Sequence, residues 1–536
     1  MQQQGKIPTN YGALGTLVTV FFFWGFIAAS NSIFIPFCKS HFSLTQFESQ
    51  LIGSAFYGAY FIGSLILFFL SNVLGYDILN RIGYKKGIIY GLLISVAGAL
   101  LIIPSANADS FPAILASFFV VALGFSLQQT AAQPFAILLG DPATGSHRLN
   151  LGGGVNSFGT TLGPIIVSFF LFGSLGAGEK EVTVTNINTL YLIVAGVFLA
   201  VALFFAFSKL PSGKNDEQFE KSNKAASSLL IMTGLIIGII IVGQLTEVPK
   251  LPLLLLTLLV VVGILFYSNS QAQKLSDGWG AMKYPQLIYG MLGIFVYVGV
   301  EVTIDNNFGA LLKTPGYLTE AGMDESKISH YVSLYWGSLM IGRWMGAVSV
   351  FNLQGVTKTI ARVIVPLVAF GVVLFVNHLY GSDVSDLYGY IICIAIALAA
   401  FFYGQEKPVK TLVVVSLLAT IAMLIGVFTK GIVSVYALIA GGLFCSVMWP
   451  CIFALGVGGL GKYTSQGSAF LIMMILGGAV IPPLQGSLGD LSSIGMHNSY
   501  LVAAVCFLFL AWLAVKFKAV LHKQGLDFDE QIGGGH

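Results

Sequence analysis

Residues 189–243 read TLYLIVAGVFLAVALFFAFSKLPSGKNDEQFEKSNKAASSLLIMTGLIIGIIIVG. The first part, Thr189 to Ser208, is apolar and uncharged over twenty residues, the length a helix needs to cross the hydrocarbon of a bilayer. A charged loop follows, Leu210 to Ala226, containing SGKNDEQFEKSNK. A second apolar run, Ser227 to Gly243, is short enough to lie at a membrane interface instead of spanning. Working outward, the same alternation recurs along the whole chain. Sixteen apolar runs begin near Tyr11, Phe47, Gly87, Phe111, Leu151, Thr189, Ser227, Leu251, Pro285, Ile328, Thr359, Leu387, Val409, Ile432, Ser465 and Asn498. The run from Leu387 to Phe402 is also short.

Composition agrees. Of 536 residues, 56% are hydrophobic and 9% charged, against about 25% charged in an ordinary soluble domain. Such a chain cannot cover a soluble surface, so an all-α polytopic membrane protein is expected. The formal charge of +3 includes no basic block of the kind nucleic-acid binding needs. Cys38, Cys393, Cys445, Cys451 and Cys506 are scattered without zinc-ligand spacing and read as packing residues. Met1 to Tyr11 is polar, and the apolar run after it is too long for a cleaved signal, so it reads as a retained span.

The loops test the partition. With both termini in the cytoplasm, twenty of the 26 Lys and Arg fall inside; only Lys39, Lys180, Lys250, Lys313, Lys327 and Lys430 fall outside. This is the bias that orients helical membrane proteins. A single missed or invented span would scramble it. The multi-pass chain is therefore placed in an inner or plasma membrane. Expected domains are an N-terminal six-helix bundle (1–210), a flexible cytoplasmic linker (211–226), an extra hairpin and loop (227–284), a C-terminal six-helix bundle (285–523) with an inserted hairpin at about 359–403, and a tail (524–536).

Polar groups inside spans are costly and mark function or packing. Trp24 and Asn31 are seven residues apart and share a helix face. Gln128, Gln129, Thr130 and Gln133 cluster in the fourth run; Asn156, Ser157 and Thr160 lie in the fifth. Amides both donate to and accept from hydroxyls, and an indole covers the apolar face of a pyranose. Trp24, Asn31, Gln129, Gln133, Asn156, Glu301 and Trp449 are therefore candidate sugar-binding residues. Interhelical hydrogen bonding that only holds the bundle together is the alternative. Glu301 and Asp305 lie one turn apart on one face. Both are candidate ion-coupling groups, with Asp305 near the outer mouth, where solvation alone could explain it. His147 and His330 lie at loop edges and read as solvated or capping residues. No HExxH, GxSxG or GxxxxGK[ST] occurs, which argues against an embedded metalloprotease, a hydrolase elbow or a nucleotide-driven pump in this chain. No cofactor or metal is expected.

A resemblance appears when loops and spans are read together. Asn80-Arg81-Ile82-Gly83-Tyr84-Lys85-Lys86 is similar to a relaxed form of the cytoplasmic loop motif of the major facilitator superfamily, with Asn80 in place of the motif's Asp. Gln129 to Phe135, Arg148 to Leu151 and Asn156 to Gly159 resemble the fucose:proton symporter family, as do Trp449-Pro450, Gly467-Ser468, Gly477-Gly478 and Pro483. Tyr297 to Val302 resembles its glucose/galactose branch. The resemblance implies two six-helix bundles, twelve core spans, and a secondary active transporter importing a hexose-type sugar by alternating access. Ser227 to Tyr267 and Thr359 to Phe402 then stand out as two added hairpins, expected outside the substrate path. The fucose member's two acidic positions correspond here to Ser32 and Gln129, so its coupling scheme does not transfer, and Glu301 becomes the best remaining carboxylate. Proton symport is the leading expectation, with sodium symport and uncoupled uniport as alternatives. A non-transporting receptor and an embedded enzyme are the competing classes. Besides sugar, coupling ion and lipid bilayer, no partner is expected, and the chain is read as a monomer.

Overall fold

A computed structural model describes residues 7–44, 46–172, 183–214, 219–323, 328–351, 353–526 and 528. The side chains of 28–33, 35–37, 39–40, 46–51, 54 and 164–172 lie outside that description. Among the described residues no strand occurs, and all sixteen apolar runs fall on helices. We label these α1 (Tyr11–His41), α2 (Gln46–Leu74), α3 (Tyr84–Asn107), α4 (Phe111–Leu138), α5 (Gly145–Phe172), α6 (Val184–Phe207), α7 (Asn223–Leu245), α8 (Lys250–Lys274), α9 (Pro285–Leu312), α10 (Ser329–Ala347), α11 (Gly355–Leu379), α12 (Ile391–Gly404) and α13 (Pro408–Phe428). The last three runs are broken into pieces: α14 (Gly431–Cys445) with α15 (Met448–Val457), α16 (Thr464–Met473) with α17 (Gly477–Gly489), and a short helical turn ahead of α18 (Leu501–Lys523).

The breaks follow the residues. Pro450 lacks the N–H that would continue the helix from α14 into α15, and the chain turns at Ser446 and Val447. Between α16 and α17 a 3₁₀ turn, Met474–Leu476, precedes the Gly477-Gly478 pair. The two short runs also grow. α7 continues back to Asn223, where Asn72 donates to the Asn223 side chain at 3.0 Å. Its 23 residues rise about 35 Å, enough to span. A helical stretch from Ser385 to Gly404 likewise reaches 20 residues. Interfacial placement of these two runs is not required.

Thirteen of the helical stretches among the described residues are long and apolar enough to cross a membrane. The chain divides into two compact units. One comprises Met1–Leu67, Ile78–Asn215 and Leu339–Tyr388; the other comprises Phe68–Asp77, Asp216–Ser338 and Gly389–His536.

Within the first unit α1 lies on α5, and α3 lies on both α4 and α6. The α1–α5 crossing is backbone on backbone. A Cβ added at Gly25 would come within 1.9 Å of the Asn156 carbonyl oxygen, and one at Gly159 within 2.2 Å of the Phe22 carbonyl. Small residues at a helix crossing permit this approach, which is what packs helices where lipid supplies no hydrophobic drive. Within the second unit α9 is the hub, packing on α15, α17 and α18. A Cβ at Gly477 would meet the Phe295 carbonyl oxygen at 1.8 Å.

The linker is anchored at both ends rather than free. In the first unit Lys85 donates to the Ala206 and Ser208 carbonyls at 3.1 and 2.8 Å. Gly83 adopts φ 87°, and a Cβ there would strike the Ser212 carbonyl. In the second unit Ser222 N–H donates to Asn72 at 2.7 Å, and Gln466 donates to the Ser222 hydroxyl. Glu220 accepts from Lys462 at 2.8 Å and from the Tyr463 hydroxyl. The Lys462 and Tyr463 hydrogen bonds hold its carboxyl below the usual carboxylate range. Glu220, one of the charges that suggested a solvated linker, thus finds partners just before the start of α16, although this pair is exposed and screened.

Candidate functional site

The polar residues of α4 have divergent fates. Gln128 is fully buried and closes a chain: Trp24 Nε1 donates to its Oε1 at 2.7 Å, and its Nε2 donates to Ser95 Oγ at 3.0 Å. Ser95 then donates to the Val121 carbonyl. Trp24 is itself buried at 4% exposure, with Phe21 4.5 Å from it between ring centroids. Its indole N–H is spent and its face covered in this conformation. Gln129, one residue on, is half-buried and donates to the Tyr60 hydroxyl at 2.8 Å. Gln133 is 5% exposed, and its amide has no hydrogen-bond partner among the described residues. A buried amide is normally satisfied. A ligand carrying hydroxyls would supply what Gln133 lacks.

Asn156 is placed by the close α1–α5 crossing, and its Nδ2 donates to the Phe21 carbonyl at 3.0 Å. The glycines that let the helices approach therefore also fix this side chain. Asn31 sits on α1, and Ser32 beside it, but both side chains lie outside the described residues. Arg148, quoted above only as part of a string, is 1% exposed and donates to the Ala136 and Ile137 carbonyls at 2.7 and 2.6 Å. It satisfies the orphan carbonyls that end α4.

In the second unit α9 carries the carboxylates. Glu301 is half-buried. The Tyr297 hydroxyl, one turn back, donates to Glu301 Oε1 at 2.7 Å, and the Tyr335 hydroxyl donates to the Glu301 backbone carbonyl at 2.6 Å. Tyr297 also lies 5.9 Å from Trp449 between ring centroids, and Trp449 stacks on Phe453 at 6.1 Å. Trp449 is half-buried, with room left on its ring. The break before Pro450 sets this indole at the start of α15, against α9. One carboxylate, one phenol and one indole thus form a compact group. Tyr297 was not among the residues singled out for a role, although its i−4 spacing from Glu301 was visible.

Asp305 is half-buried, with one carboxyl oxygen buried and unpartnered among the described residues. It is less open than a solvated outer mouth implies. Thr303 is fully buried, and Asn306 is exposed. Two residues along a helix are turned by about 200°, so Thr303 faces away from Glu301. His147 and His330 are buried, at 5% and 7% exposure, so of the two readings, solvated or capping, the solvated one does not hold. Each lies in the first turn of a packed helix, α5 and α10, rather than on the loop. All five cysteines are free thiols, and no group of three or more His, Cys, Asp or Glu could hold a metal among the described residues.

Helices of spanning length that carry buried amides and half-buried carboxylates fit a multi-pass membrane protein of the transporter type. Residues 15–406 match the family model described as Major Facilitator Superfamily, and the chain belongs to that superfamily. It is 30% identical to the glucose/galactose transporter of Brucella abortus biovar 1 (strain 9-941) over 94% of this chain and 93% of that one. It is 24% identical to the L-fucose-proton symporter of Escherichia coli (strain K12), over 92% and 90%. Among solved structures, the E. coli fucose:proton symporter superposes with a TM-score of 0.64 at 22% identity, covering 94% of this chain and 98% of that one. At that identity the likeness bears on the fold. The resemblance carried by the strings in α4, α5 and α9 agrees with these relatives.

Proposed function

We infer that this chain is a secondary active transporter that moves a hexose-type sugar across the membrane by alternating access, coupled to protons. The observation that carries the reading is the Glu301–Tyr297–Trp449 group on α9 and α15, in a chain whose relatives are named as sugar transporters. Gln133, Gln129 and Asn156 are proposed to contribute hydrogen bonds to sugar hydroxyls, with Asn31, and Trp449 to cover the apolar face of the ring. Trp24 contributes through Gln128 in the conformation described. Both termini are proposed to be cytoplasmic in an inner or plasma membrane, with a monomer as the working unit.

Glu301 is the proposed coupling group. Ionised, it accepts the Tyr297 hydroxyl; protonated, it can donate to a sugar oxygen and lets the loaded carrier change face without a net carboxylate charge. Asp305, next on the same face, is its proposed second. A sodium shell shared by Glu301 and Thr303 has less support, because Thr303 faces away.

The test is Glu301→Gln, which mimics the protonated acid. Sealed vesicles containing this variant should lose accumulation driven by a pH gradient while still exchanging labelled sugar for unlabelled sugar. Accumulation equal to the parent would remove Glu301 as the coupling group. A panel of hexoses in the same exchange assay identifies the substrate.

A further inference from the structure

A cleft of about 260 Å³ lies within the first unit, between α5, α10 and the added helix α11. Its walls include Leu151, Val155 and Phe158 from α5, Trp344 from α10, and Ala361 and Val365 from α11, and every residue lining it is apolar. The Trp344 indole N–H does not face it unpaired, since it donates to the Gly154 carbonyl at 3.0 Å. Sugar has no hydrogen-bonding group to meet there. Water does not occupy an apolar cavity without polar partners. The cleft is partly open, with Phe351 at its edge 47% exposed.

The surface beside the opening is apolar. The outward face of α11 carries Val356, Ile360, Ile364 and Val368, all more than half exposed, as expected of a helix side turned to hydrocarbon. The same helix carries Lys358, Ala361, Arg362 and Val365, each half-buried, of which Ala361 and Val365 line the cleft. This i, i+3, i+4, i+7 spacing is one helix face. Two cationic side chains thus flank the two residues that line the cleft, at the helix end the charge pattern assigns to the cytoplasm. Lys and Arg at such a depth lay their stems along apolar surface and carry their charge to the headgroup level.

We propose that this cleft seats an acyl chain of an anionic phospholipid, with its headgroup against Lys358 and Arg362. Basic positions at the cytoplasmic end of spans favour anionic headgroups. The site gives the inserted helix α11 a role: it forms the outer wall of a lipid seat against α5 and α10. The lipid chain bears on Trp344 and Phe158, whose rings lie 5.7 Å apart between centroids, and so on the α5–α10 contact that Trp344 makes with Gly154.

Native mass spectrometry of the full chain, released from nanodiscs of equimolar phosphatidylglycerol and phosphatidylcholine at fixed collisional activation, tests this. The parent should retain phosphatidylglycerol in preference. Lys358→Gln with Arg362→Gln should reduce that preference by about fivefold per residue, equivalent to about 1 kcal/mol each. Val365→Trp, which fills the cleft, should remove one retained lipid. Lys358 and Arg362 are not part of the cleft's packing, so their variant stays informative if Val365→Trp misfolds on size-exclusion. No preference for phosphatidylglycerol in the parent, or an unchanged preference in the double variant, overturns the proposal. So does an undiminished lipid count in monodisperse Val365→Trp.

Discussion

α9 and α8 are of similar length, 28 and 25 residues, and each is apolar enough to span. Yet 94% of the most apolar window of α9 is buried within the protein, against 22% for α8. The other added helices resemble α8: 39% for α7, 28% for α11 and 33% for the stretch holding α12. The reason is visible in which residues are polar. α9 carries Tyr297, Glu301, Thr303, Asp305 and Asn307, which hydrocarbon would punish. α8 buries only a narrow stripe, including Val261, Leu265 and Ser268. It is joined to α7 through the Ser228–Ser268 hydroxyl pair. A mixed polar face demands protein on every side, whereas a uniform apolar face is content with lipid. Polar content thus separates α9 from the added helices α7, α8, α11 and α12.

The comparison extends to α4, where Gln128 and Gln133 are both buried side chains but, among the described residues, only Gln128 has hydrogen-bond partners. The largest effect is expected from Gln133→Ala. Removing one partner of a buried hydrogen bond costs about 1–3 kcal/mol, or roughly 5- to 150-fold in affinity. Calorimetric sugar binding should show that loss at an unchanged melting temperature. Gln128→Ala should do the reverse, lowering the melting temperature because Trp24 and Ser95 lose their partner. If Gln133→Ala lowers the melting temperature without touching affinity, the amide is structural and the comparison within α4 fails.

Tyr297→Phe should act more mildly. It deletes the hydroxyl that donates to Glu301 but keeps the ring against Trp449. One net hydrogen bond is worth about 1 kcal/mol, or about fivefold. Gradient-driven accumulation should therefore fall by up to that factor, while sugar-for-sugar exchange persists. A loss of exchange equal to the loss of accumulation would assign Tyr297 to sugar binding instead of to Glu301.

Much of this was legible in the sequence. Apolar run length located the helices, because the bilayer fixes that length. The i, i+4 spacing put Glu301 and Asp305 on one face, and the glutamine cluster drew notice to α4. What was not legible depended on neighbours. Periodicity says which residues share a face but not which helix covers it. Hence Trp24 read as an open platform, whereas its N–H is spent on Gln128, over a hundred positions away. The same limit hid the linker's anchors on Asn72, Lys462 and Gln466, since a charged stretch looks solvated until its partners are known. Tyr297 escaped attention because a tyrosine in an apolar span is ordinarily packing; its contacts with Glu301 and Trp449 emerge only in the folded chain.

The smallest expected effect sits on α8 and tests the outer half of the comparison. Leu259 is 67% exposed on the face away from the buried stripe. If that face meets only lipid, Leu259→Ala exchanges one lipid contact for another, and nothing in the protein loses a partner. Surface substitutions of this kind stay within about 0.5 kcal/mol, so the melting temperature in bilayer nanodiscs and the sugar exchange rate should both match the parent. A second copy of the chain covering α8 would give a different result. Leu259 would then stand in a protein interface, where its truncation leaves a cavity, and large-to-small changes in packed sites cost about 2–5 kcal/mol. A clear drop in melting temperature, accompanied by a shift to smaller particles on size-exclusion, would show that α7 and α8 exist to pair protomers. The low burial of the added hairpin would then belong to the isolated chain alone, and the contrast with α9 would mark an assembly surface rather than a lipid-facing rim.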